Sequence, residues 1–100
     1  MERLERLVEQ AKSIVLKSSS PDRISLWRAY VALECAILDL KLHHGLEGNS
    51  LPKPVKSADL ATAKSTIGRL NLASSDKKKL LYDLRSCRDI IKALVASKLR

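Results

Sequence analysis

Aromatic residues are scarce in this chain: no phenylalanine, one tryptophan and two tyrosines among 100 residues. Any core must therefore be built from Leu, Ile, Val and Ala. A module that reads single strands by stacking bases on several exposed rings is disfavoured. Cysteine is equally sparse, and both Cys35 and Cys87 fall inside apolar helical patterns. That placement predicts two buried thiols in a reducing compartment, while spacing alone leaves a Cys35–Cys87 bridge open. No apolar run is long enough for a signal peptide or a membrane span, and the N-terminus, Met1-Glu2-Arg3-Leu4-Glu5, is charged from its second residue. The expectation is a cytoplasmic protein with no membrane partner. Also missing are a Gly-rich phosphate loop, a Ser nucleophile elbow and zinc-ligand spacing, so no metal, cofactor or small-molecule substrate is implied and an enzyme is disfavoured.

A chain of this length is one domain, able to bury roughly 65% of its unfolded surface without a disulfide or metal staple. Strand signals are absent, with no alternating run and no Asn-Gly or Asp-Gly turn. The sequence predicts an all-α four-helix bundle over residues 2–17, 21–44, 57–71 and 75–99. In the first helix, Leu4, Leu7, Val8, Ala11, Ile14 and Val15 form one apolar stripe. Ser20 is placed to cap the second helix, with Pro21 as its first residue and Gly45 as its stop. Gly48, Asn49, Pro52 and Pro54 mark a crossing loop. Ser57 caps a weak third helix through Leu60, Ala63, Ile67 and Leu70, whose Thr62, Thr66 and Gly68 lower its propensity. Ser74-Ser75-Asp76 opens a fourth through Leu80, Leu81, Leu84, Cys87, Ile91, Leu94 and Val95.

The second helix differs in carrying two apolar stripes. Ile24, Trp27, Val31, Cys35, Leu38 and Leu42 form one, and Leu26, Tyr30, Leu33, Ile37 and Leu40 form the other. A helix in a simple bundle buries only one stripe, so the second must meet another helix of the chain or a second copy. The second stripe, Leu26, Tyr30, Leu33, Ile37 and Leu40, is assigned to self-association, making a homodimer the expected partner. Glu34 lies among Trp27, Tyr30 and Leu38, where an unpaired carboxylate is expensive, and Arg88 projects into the apolar stripe of the fourth helix. A buried Glu34–Arg88 pair is expected, with Glu34–Lys41 as the alternative. Arg88 lifting its guanidinium into water over the core edge is the simpler account.

Charge is distributed unevenly. Residues 1–50 hold seven Lys or Arg against seven Asp or Glu, and residues 51–100 hold twelve against four, which is the whole of the net +8. Such asymmetry points to a polyanion. Lys77-Lys78-Lys79 sits at a helix N-terminus, where the dipole already favours anions. With Arg85 and Lys92 it forms a candidate set for nonspecific, salt-sensitive contact with RNA or DNA phosphates, the alternative being a merely solvated charge run. His43 and His44 end the second helix. Adjacent helical positions point about 100° apart and suit dipole capping better than metal ligation.

The order of helices, the two-sided segment Trp27-Arg28-Ala29-Tyr30-Val31-Ala32-Leu33-Glu34 and the final helix with Arg85-Ser86-Cys87-Arg88-Asp89 resemble the small helical HEPN domains. Members of that superfamily are commonly dimeric, and many cleave RNA through an Arg followed several residues later by a His. No His follows Arg85 or Arg88 in that way here, so the resemblance implies a noncatalytic relative. Three functional expectations follow from the sequence. The first is a helical interaction module that self-associates and touches RNA or DNA. The second is a metal-independent ribonuclease or toxin-type domain pairing Arg85 or Arg88 with His43 or His44. The third is a structural subunit of a larger assembly.

Overall fold

Three of the helices begin at an aspartate. The computed structural model describes residues 2–17, 19–45, 55 and 58–98, and contains α1 (Glu2–Lys17), α2 (Arg23–His44), α3 (Leu60–Gly68) and α4 (Lys77–Lys98). Asp22 caps α2 by accepting the Ser25 N–H at 2.7 Å, and Asp59 caps α3 by accepting the Thr62 N–H at 2.8 Å. Asp76 accepts the Lys79 N–H at 3.1 Å at the start of α4. α2 and α4 thus start two residues later than the pattern predicts, and α3 shrinks at both ends. The later starts share a cause: an aspartate carboxylate accepts the exposed N–H groups and also meets the positive end of the helix dipole. Ser57 and the loop residues 46–54 lie outside the described residues. α2 ends as expected at Gly45, whose φ of 60° is the left-handed conformation of a C-terminal stop.

Helix α2 packs against α1 and α4, and α3 closes the ring by packing against the same two, so each helix has two neighbours and faces a third across the core. No strand occurs among the described residues, and no helix among them is long and apolar enough to cross a membrane. The core is aliphatic: Leu4, Val8, Ala11 and Val15 enter from α1, Ala63 and Ile67 from α3, and Leu80, Leu84, Cys87 and Ile91 from α4. From α2 come Leu26, Leu33, Ile37 and Leu40 with Ala29, Ala32 and Ala36 between them. The alanines let the neighbouring helices approach, and the large residues fill the centre, each stabilising the fold by about 2 kcal/mol.

That packing reverses the assignment of the two stripes. Leu26, Leu33, Ile37 and Leu40 lie in the bundle core and Tyr30 is half-buried against it. None of the four buried residues is free to meet a second copy. The turn between α3 and α4 is tied locally. Asn71 accepts the Ala73 N–H at 3.1 Å, Ser74 Oγ accepts the Asp76 N–H at 3.2 Å, and Lys77 Nζ donates to the Leu72 carbonyl at 3.3 Å.

Candidate functional site

Among the described residues, most of the large exposed apolar side chains lie on the outward stripe of α2. Ile24, Trp27, Val31, Leu38 and Leu42 are all exposed, from 42% at Val31 to 77% at Leu42, and Cys35 is half-buried between them. Their spacings of three and four average 3.6 residues, so the stripe runs straight along the helix for five turns, about 27 Å. Near its N-terminal end the Trp27 ring stacks on Tyr30, with centroids 5.1 Å apart and planes at 28°. Two shallow grooves border the indole. One, of about 340 Å³, lies between Arg23, Ile24, Trp27 and Val95 of α4. The other, of about 220 Å³, is lined by Leu7 and Gln10 of α1 with Trp27, Arg28, Val31 and Cys35. The stripe with its grooves is one continuous apolar surface flanked by charges.

Those charges differ in how they are used. Glu34 Oε1 accepts from Arg88 Nη1 at 2.9 Å, joining α2 to α4, and Arg88 Nε donates to Asp89 at 3.0 Å. The side chains of Arg88 and Glu34 are 21% and 42% exposed, so the pair sits at the edge of the core and not within it. Burial works against the charged guanidinium, but the hydrogen bonds to Glu34 and Asp89 outweigh it and raise the pKa of Arg88 above its ordinary value. Lys41 is not the partner of Glu34. On the opposite flank, the side chains of Arg28 and Asp39 make no hydrogen bond or ion pair among the described residues.

The cationic set expected for phosphate contact is dispersed. Arg85 is only 6% exposed and engaged within the fold, so it cannot offer its guanidinium to an external phosphate. Lys77 is half-buried on the Leu72 carbonyl, and Asp76 already occupies the start of α4. Lys78, Lys79 and Lys92 stay exposed, with Lys92 fourteen residues, about 21 Å, beyond Lys78 along the axis. Among the described residues, the one contact of His43 and His44 is with each other. His43 and His44 are exposed in the last turn of α2, their rings 5.5 Å apart edge to face. His43 lies nine residues, about 13 Å along the axis, beyond the Glu34 that holds Arg88.

The two thiols occupy contrasting places, and both are free. Burial, reinforced by the nearby Asp83 carboxylate, pushes the Cys87 thiol up to about 12 although Lys12 opposes this, which makes it inert. Cys35 instead lines the outward surface. The expectation of two buried thiols holds for Cys87 alone: Cys35 is only half-buried, because its stripe of α2 faces outward while Leu26, Leu33, Ile37 and Leu40 take the core. No protein-family model matches the chain, and no curated protein or solved structure shows significant similarity to it.

Proposed function

We propose that the chain is a helical interaction module whose working surface is the outward face of α2, suited to a partner that presents an apolar helical surface. The observation that carries this reading is the five-turn stripe of large exposed side chains from Ile24 to Leu42. Monomeric proteins scatter exposed apolar residues singly, whereas a contiguous patch rimmed by charge marks an interaction site. Trp27 supports the same reading, because a rigid half-exposed tryptophan beside two grooves is the kind of anchor that dominates binding energy.

Affinity capture from nuclease-treated cell extract tests the proposal with three forms of the protein: the native chain, Trp27→Glu, and Lys78→Glu/Lys79→Glu/Lys92→Glu. The expected result is a partner set, own copies included, that survives nuclease, is retained by the lysine variant and is lost with Trp27→Glu. Capture that disappears with nuclease and with the lysine substitutions, yet tolerates Trp27→Glu, overturns the proposal in favour of RNA or DNA phosphates.

A further inference from the structure

We infer that the occupant of the α2 face is a second copy of this chain, docked antiparallel about a two-fold axis near residue 33, with Arg28 of each copy meeting Asp39 of the other. The inference rests on the interaction-module reading and names its partner. Three observations lead to it.

The first is electrical. Two copies that each carry a net +8 repel, yet α2 and its cap hold Arg23, Arg28 and Lys41 against Asp22, Glu34 and Asp39, three of each sign. The excess lies wholly in residues 51–100, so α2 itself brings no net charge to a contact between copies. The second is area. Five large side chains at these exposures present on the order of 500 Å² of apolar surface. With the flanking polar residues this approaches the roughly 800 Å² per partner of a standard interface.

The third is register. A two-fold contact must be self-complementary. Antiparallel pairing centred on residue 33 sets Ile24 opposite Leu42 of the other copy, Val31 opposite Cys35, and Trp27 beside Leu38. It also brings each flank of the helix against the same flank of its mate. Arg28 and Asp39 share a flank, about 60° and 80° round from Val31. Both lack an ion-pair partner within the described residues. Each therefore finds the opposite charge across the axis, about 8 Å from the centre along the helix. Arg23 and Lys41 share the other flank and repel in this register. They lie about 14 Å from the centre, where a crossing angle of about 20° carries them some 5 Å further apart. The Glu34–Arg88 pair near the axis is internally neutral.

Sedimentation equilibrium on the full chain, combined with a charge-reversal cycle, tests this. A dimer is expected for the native protein, with Arg28→Asp or Asp39→Arg each raising the dissociation constant about tenfold. The double reversal Arg28→Asp/Asp39→Arg restores it to within about threefold. Val31→Cys gives a second readout. Mild oxidation is expected to join the thiol introduced at position 31 to Cys35 of the other copy, while the native chain, whose Cys35 residues are offset by four positions, links slowly. A native chain that stays monomeric at high micromolar concentration overturns the second-copy inference. The module reading then still stands if Trp27→Glu abolishes nuclease-resistant capture. A dimer whose charge reversals show no rescue, or in which native Cys35 links as readily as the Val31→Cys protein, overturns the antiparallel register. Both charge positions lie on the helix surface, so folding of these variants is not at stake.

Discussion

Arg88 shows at the scale of one residue how position along an edge decides energy. Its guanidinium holds Glu34 at 2.9 Å and Asp89 at 3.0 Å, but Glu34 is more than one-third exposed, so water screens the pair. Glu34→Gln is expected to cost about 0.5–1 kcal/mol in urea unfolding, far below the loss for a dry ion pair with one partner removed. A loss of several kcal/mol would mean the pair is dry. The thiols divide more sharply. Cys35 is expected to react with a maleimide in the folded protein diluted until copies separate, and Cys87 only after unfolding. Because burial raises Cys87 from 9.0 to about 12, the native state holds the extra proton between those values. That contribution is complete below pH 9.0 and is lost as pH rises toward about 12, with a slope of up to about 1.4 kcal/mol per pH unit. Cys87→Ala should flatten this alkaline loss relative to the native chain; an unchanged slope would show that the thiol does not govern it.

At the scale of the element, caps and faces were legible to different degrees. The amphipathic order of α1 and α4 comes straight from the spacing of their aliphatic residues, and the Gly45 stop comes from the one residue type that accepts φ of 60° without strain. Helix starts were displaced because Ser and Asp are both competent caps. What separates them is the electrostatic gain of a carboxylate at the dipole, which a pattern of apolar spacings does not register. Asp22→Ala should destabilise the protein by about 1 kcal/mol, whereas Ser20→Ala should cost less than half as much; equal losses would restore Ser20 as the cap. Gly45→Ala should cost about 1–2 kcal/mol. Nothing lies within 4 Å of an added methyl there, so the whole loss would be backbone strain. For α3, low propensity predicted weakness, and the helix runs for only nine residues.

At the scale of the whole molecule, the two faces of α2 separate folding from binding. Leu33→Ala removes a fully buried side chain at the centre of the ring of helices and should cost about 2–5 kcal/mol in thermal or denaturant unfolding. Leu42→Ser, at a position 77% exposed, should leave stability within about 0.5 kcal/mol while weakening association. Comparable losses from both would mean that the stripes are energetically equivalent and that the outward face supports the fold. The cationic half is divided by the same tertiary logic. Arg85 belongs with Lys92 to the set expected to contact phosphates, yet it is buried, and Lys77 is spent on a turn.

Hydrophobic periodicity is a property of neighbours three and four residues apart, and so the sequence alone determined that the chain is helical, where each helix roughly lies, that its core is aliphatic, and that α2 has one apolar stripe too many. Which stripe faces α1 and α4, which arginine is buried and how far out the Glu34–Arg88 pair lies depend on helices separate in sequence meeting in one core. Only the tertiary structure decided these, because a periodic pattern specifies faces without specifying what each face will touch.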